Sequence, residues 1–193
     1  YGILGLSMLV SGGAVLHSSD APAKLPGLTF VDISGKKHST DEYRGKPLLI
    51  AMTSATCPVS KRYGPMLARL EKQINILYVN PTEAETPKEM NAMIASNGWK
   101  GRYAPDAKFA GTLGARSTAE VFLYNENQVL VYRGAVNDQY GVGVTKPAPT
   151  ANYLEDALTA LKKGDTPPVK ITEAPGCLLA QDGIATNIPL TYY

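Results

Sequence analysis

The sequence holds only two cysteines, Cys57 and Cys177, in 193 residues, which excludes a small scaffold built on several disulfides. No Cys-x-x-Cys-His run occurs, so covalent c-type haem attachment is excluded. The only histidines are His17 and His38, too few for a His-rich metal centre, and neither a metal nor another cofactor is expected. Charge of one sign is also lacking. Nineteen Lys and Arg stand against seventeen Asp and Glu, a net charge of +2. The basic pairs Lys36-Lys37, Lys61-Arg62 and Lys162-Lys163 are scattered, which is no footprint for nucleic acid.

What is present begins with the stretch Leu48-Leu49-Ile50-Ala51-Met52-Thr53-Ser54-Ala55-Thr56-Cys57-Pro58-Val59-Ser60. An apolar run long enough for a buried strand ends in small residues and delivers a cysteine. Arg62, Tyr63, Met66, Leu67 and Leu70 then recur at helical spacing. This predicts a strand, a tight turn and a helix with Cys57 at its N-terminus, where unpaired N–H groups and the helix dipole favour a thiolate. Pro58 suits the first helical turn, since its missing N–H costs nothing there. Gly64-Pro65 predicts a kink about two turns in.

The remaining pattern follows in order. Leu28 to Ile33 alternates as a strand, and Ser39 to Gly45 leads to the central strand. Ile74 to Asn80 is apolar enough to be buried on both faces, as a parallel strand is. Thr86-Pro87-Lys88-Glu89 is a helix start with a capping box, and that helix carries Met90, Met93 and Ile94. Asp106 to Leu113 reads as a short helix. Val121 to Tyr124 and Val129 to Arg133 read as an antiparallel hairpin. Residues 134–143, with Asn137-Asp138, predict a loop tied down by its own polar groups. Ala148-Pro149-Thr150 is expected to open the last helix, whose stripe is Tyr153, Leu154, Ala157, Leu158 and Leu161.

Cys57-Pro58-Val59-Ser60 after a strand resembles the thioredoxin active-site turn, Cys-x-x-Cys, with serine for the second cysteine. Thr56 stands where thioredoxins usually carry tryptophan. From about Leu25 to about Leu179 the chain is similar to exported bacterial redoxin-domain proteins of the peroxiredoxin-related branch. Tyr132 to Gly143 and Glu173-Ala174-Pro175-Gly176-Cys177-Leu178-Leu179 match that group too. The resemblance implies an α/β thioredoxin-like fold, a central mixed sheet flanked by helices, with an N-terminal apolar helix and a long irregular tail. In such proteins a Thr–cis-Pro turn packs against the active cysteine. Here Thr118 matches and Ala119 takes the proline's place. A cis bond before a non-proline residue costs about 2.5–4 kcal/mol, so a trans bond is expected and the wall of the site is altered. Copper-binding relatives use a second nearby cysteine and a histidine, which this chain does not offer.

The expected organisation is an apolar helix over residues 1–17, a polar linker over 18–27, a thioredoxin-like domain over 28–164 and a tail over 165–193. Residues 1–16 carry no charge and fit either the core of a secretory signal or a membrane anchor. The anchor is the preferred reading, since Gly2, Gly5, Gly12 and Gly13 allow close helix approach. It places the domain on the extracytoplasmic, periplasmic face of a bacterial membrane.

Two function classes compete. As an enzyme, the chain would be a thiol–disulfide oxidoreductase or a thiol peroxidase. Cys57 would be the nucleophile, Ser60 would lie near the sulfur, and Ser54 would hold the hydroxyl position of the peroxiredoxin motif. Ile50 replaces the proline of that motif, and Arg116 or Arg133 would have to supply its arginine. Cys177 is the one other thiol, so a Cys57–Cys177 disulfide is either a redox pair or a pin for the tail. As a module, the chain would be a non-catalytic accessory subunit of a respiratory or photosynthetic membrane complex. Ser60, Thr56 and Ala119 together look like a degraded redox site, and the eleven tyrosines suit an interface. The module is placed slightly ahead.

Overall fold

The computed structural model describes residues 21–141 and 143–179. The expected anchor over 1–17 and the final residues of the tail lie outside the described residues. Among the described residues no helix is long and apolar enough to cross a membrane.

The elements run β1 (Thr29–Val31), β2 (Lys37–Ser39), a 3-10 turn (Thr40–Tyr43), β3 (Leu48–Met52), α1 (Pro58–Leu70), β4 (Asn75–Asn80), α2 (Pro87–Asn97), β5 (Arg102–Pro105), α3 (Ala107–Thr112), β6 (Val121–Tyr124), β7 (Leu130–Gly134), the short pair β8 (Tyr140–Gly141) and β9 (Val144–Thr145), and α4 (Tyr153–Lys163). Five strands form one mixed sheet in the order β5-β4-β3-β6-β7. β3 is its centre, parallel to β4 and antiparallel to β6, and every residue of β3 is buried. The apolar run Leu48–Met52 can be continuous because both of its faces are covered.

Alternation along β3 divides the core. Leu49 and Ala51 face Tyr63, Leu67, Leu70, Leu154 and Leu158 of α1 and α4. Leu48, Ile50 and Met52 face Phe30, Phe109 and Leu113 on the β1–β2 and α3 side. α1 is the crossover between the parallel strands β3 and β4, and Pro65 lies inside it without ending it. Thr86 caps α2 with the expected capping box. α4 begins later than its sequence predicts, with Asn152 as N-cap. The reason is local: the Thr150 and Ala151 N–H groups donate to the Asp138 carboxylate, at 2.8 and 3.0 Å, and so stay in the loop.

The chain before β1 and after α4 is tied to the sheet. Leu25 N–H donates to the Gln128 carbonyl, and Leu130 N–H to that of Ala23. Beyond α4 the tail returns along β7, where Arg133 N–H donates to Lys170 O (2.9 Å) and Thr172 N–H to Arg133 O (3.1 Å). Gly134 permits this approach. A Cβ there would lie 2.2 Å from Thr172 Oγ1, and its φ of +137° is left-handed.

Candidate active site

Cys57 is the N-cap of α1 and only 1% exposed. The turn that delivers it is held by a residue the sequence did not single out, Glu85, in the loop between β4 and α2. The Glu85 carboxylate accepts from Ala55 N–H (2.8 Å), Thr56 N–H (3.1 Å), the Thr56 hydroxyl (2.9 Å), Asn80 Nδ2 (2.8 Å) and the Ser54 hydroxyl. Ser54 Oγ in turn accepts from Cys57 N–H at 3.1 Å. Burial opposes the charge on Glu85, but these donors, led by Ser54, outweigh it and hold the carboxyl below the usual glutamate range.

Glu85→Gln replaces one acceptor oxygen by an NH2 that faces further donors. A loss of about 1–3 kcal/mol is expected from the unsatisfied groups, read as a lowered denaturation midpoint. The pH dependence has a definite sign. A carboxyl depressed in the fold stabilises it fully above the ordinary glutamate pKa and loses that contribution as pH falls through the lower folded value. The gap between wild type and Glu85→Gln should therefore narrow on acidification and be constant at neutral pH.

Ser60, at the place of the second thioredoxin cysteine, donates its hydroxyl proton to the Thr118 carbonyl at 2.5 Å. The Cys57 sulfur interacts with Ser60 through both its main-chain N–H and its hydroxyl. Ser60 thus ties α1 to the turn before β6. Among the described residues no peptide bond is cis, so Ala119 follows Thr118 through a trans bond.

The turn at Thr118 carries the tail. Thr118 N–H donates to Cys177 O (3.0 Å), Leu179 N–H donates to Arg116 O (3.0 Å), and Ser117 bridges Leu178 in antiparallel sense. Cys177 N–H donates to Thr118 Oγ1 at 3.0 Å, and Ser117 Oγ to Pro175 O at 2.9 Å. This pairing brings together the two cysteines, which lie 120 residues apart in sequence. Both are free thiols, Cys57 buried and Cys177 exposed.

Their environments differ in sign. Burial alone would raise the Cys57 thiol, but hydrogen bonds from the Thr118 side chain and from the Ser60 and Cys177 N–H groups bring it below the ordinary cysteine value. Burial and the neighbouring Cys57 push Cys177 up, and its thiol hydrogen-bonds Cys57. The pair therefore ionises first at Cys57, with the remaining proton on Cys177.

The arginines proposed for a peroxide site are engaged elsewhere. Arg133 is buried, with Nη2 2.7 Å from Glu120 Oε1 and from Gly114 O. Arg116 Nη2 meets the same Glu120 oxygen at 3.0 Å. Ser54 faces Glu85 and the main chain of the turn. Most tyrosines are core: Tyr43, Tyr63, Tyr78, Tyr103, Tyr124 and Tyr132 are buried. Among the described residues no group of three or more His, Cys, Asp or Glu side chains is placed to hold a metal ion.

The sheet and helices that carry this site have counterparts in solved structures. The fold is thioredoxin-like. A hypothetical protein of Sinorhizobium meliloti superposes with a TM-score of 0.70 at 24% identity, over 82% of this chain and 91% of its own. An uncharacterized conserved protein of Geobacillus kaustophilus gives 0.71 at 19% identity, over 86% and 94%. A secreted Mycobacterium tuberculosis disulfide oxidoreductase, homologous to E. coli DsbE, gives 0.53 at 15% identity, over 72% and 96%. No family model matches the chain.

Proposed function

We propose that the chain is a thiol–disulfide oxidoreductase in which Cys57 is the nucleophile and Cys177 the resolving thiol. The observation that carries this reading is the placement of Cys177 against Cys57 by the paired tail, with Cys57 the more acidic thiol. The similarity in fold to a secreted disulfide oxidoreductase supports the same reaction class. The reading reverses the order of the two function classes, because the missing second cysteine of the Cys-x-x-Cys turn has a substitute from the tail.

The chemistry balances without a cofactor. The Cys57 thiolate attacks one sulfur of a substrate disulfide, forming a mixed disulfide and releasing the other sulfur as a thiolate. Cys177, deprotonated as it attacks, then displaces the second substrate sulfur from Cys57 and closes a Cys57–Cys177 disulfide. Two electrons pass from the cysteine pair to the substrate, and the two thiol protons end on the released thiolates. In reverse, the same steps oxidise a substrate dithiol. This chemistry suits an oxidising, extracytoplasmic compartment.

The test is to oxidise the reduced protein with a small disulfide and map the products. A Cys57–Cys177 disulfide is expected, reopened by one equivalent of dithiol, with Cys57 alkylating below the pH at which free cysteine reacts. A protein whose two thiols stay unlinked under these conditions would sink the proposal. A second reading, an accessory module docked on a membrane complex, draws on the near-complete burial of Cys57. It is favoured if Cys57 reacts only after denaturation.

A further inference from the structure

The groups that face the Cys57 sulfur come from two sides. Ser60 and Thr118 belong to the body of the domain, whereas the Cys177 N–H and thiol are brought by the tail. Between them Cys57 is left only 1% exposed. We infer that residues 173–179 are a self-inhibitory strap, hinged at Thr172 and latched on Arg116, Ser117 and Thr118, and that Cys57 reacts only when this strap lifts as a unit. The strap works whether or not Cys177 resolves a mixed disulfide, so the inference goes beyond the reading above and does not depend on it.

The two ends of the strap are held unequally. At the hinge, Thr172 N–H donates to Arg133 O, and Thr172 Oγ1 bonds Tyr132 Oη (2.7 Å) and Ala135 N–H (2.9 Å). Tyr132, Arg133 and Ala135 are all buried, so breaking these bonds would strand polar groups away from water. At the latch, Ser117 Oγ donates to Pro175 O (2.9 Å) and Thr118 N–H to Cys177 O (3.0 Å). Cys177 N–H donates to Thr118 Oγ1 and Leu179 N–H to Arg116 O, each at 3.0 Å. These bonds lie at the surface, where Cys177 is exposed and Leu178 is 76% exposed. Water replaces them as the strap lifts. The apolar hold is small: Leu179 is only partly buried against the core cluster that contains Phe30 and Phe109. Local opening therefore takes residues 173–179 and stops at Thr172.

The closed and open states differ in two opposite ways at Cys57. Closed, the sulfur receives the Cys177 N–H, which favours the thiolate, and the same segment covers it. Open, the sulfur is reachable but has lost that donor, so it holds its proton more tightly. The strap thus keeps the reactive form of the thiol and withholds it from solution. A gate that only blocked access would change the rate of Cys57 and leave its pH profile in place. This one moves both.

The experiment measures iodoacetamide alkylation of Cys57 in the reduced, full chain, across pH and in urea below the unfolding transition. In wild type the rate should rise only weakly with urea, because lifting a short strap exposes little surface compared with global unfolding. Leu179→Asp removes the apolar hold and keeps every residue that faces Cys57. It is expected to speed alkylation about tenfold at high pH and to displace the profile to higher pH. Ser117→Ala, which loses the bond to Pro175 O, should speed it about threefold, and serves as the second route should Leu179→Asp fold poorly. Equal rates in wild type and both variants, or a wild-type rate that follows urea as steeply as global unfolding, overturns the inference. Repeating the comparison in Cys177→Ser, which keeps the main-chain latch, separates it from the resolving role. Acceleration by Leu179→Asp in that background supports the strap even where no Cys57–Cys177 disulfide forms, and its absence there refutes a latch made by the main chain.

Discussion

Cys177→Ser is expected to trap one equivalent of substrate thiol on Cys57 and to lower steady-state turnover by about 100-fold. The first step uses only Cys57, whose acidity draws on Thr118 and on main-chain donors that the substitution retains. The second step loses its nucleophile. A thiol tethered by a short segment acts at an effective concentration of order millimolar, against about 10 µM for an external thiol, which sets the factor of about 100. The serine chain keeps the N–H and C=O bonds to Thr118, so the tail still closes over the site. Mass spectrometry of the quenched reaction would detect the adduct. Cys57→Ser should form none and show no turnover. Unchanged turnover in Cys177→Ser would mean that resolution occurs elsewhere, and the pairing of the two cysteines would then be structural.

Glu120→Ala is expected to destabilise the fold by about 3–5 kcal/mol, the cost of leaving a buried charge without its partner. Glu120 has no solvent exposure and accepts from Arg133 Nε and Nη2, Arg116 Nη2 and Arg116 N–H. Arg133 is itself buried, 4.9 Å above the Phe122 ring, and would keep its charge. The double variant Glu120→Leu with Arg133→Met removes both charges and should be less destabilised than Glu120→Ala alone. Urea denaturation of the three variants gives the comparison. A loss below about 1 kcal/mol, the range of an exposed ion pair, would contradict the burial argument. The consequence reaches the site, because Glu120 immediately follows the Thr118–Ala119 turn and Arg133 N–H and C=O hold the tail. Its loss should also speed alkylation of Cys57.

Much of the scaffold is legible in the sequence because it rests on local pattern. The apolar run Leu48–Met52 can satisfy its side chains only with both faces covered, and Pro58 after Cys57 can begin a helix at no cost. Thr86 and Glu89 form the capping box of α2 within four consecutive residues, so their spacing alone marks the helix start. The start of α4 is not legible in this way, because the carboxylate that retains Thr150 and Ala151 lies twelve residues before Thr150, beyond any local window. Glu85 escapes a sequence reading for a similar reason. Nothing in Glu83-Ala84-Glu85 marks which carboxylate turns inward, and its partners at Ser54 to Thr56 come from another loop.

The sequence by itself determined the strand–turn–helix that carries Cys57, most of the elements around it though not the edge strand β5 or the short pair β8–β9, and the replacement of the second cysteine by Ser60. It also reduced any resolving thiol within the chain to Cys177. Tertiary structure alone decided that Cys177 meets Cys57, that Ser60 serves the Thr118 carbonyl, and that Arg116 and Arg133 belong to Glu120. The physical reason is that strand addition is made by main-chain groups every residue possesses. Where the tail pairs is chosen by the fold that offers it an edge, and by a glycine that fits against Thr118.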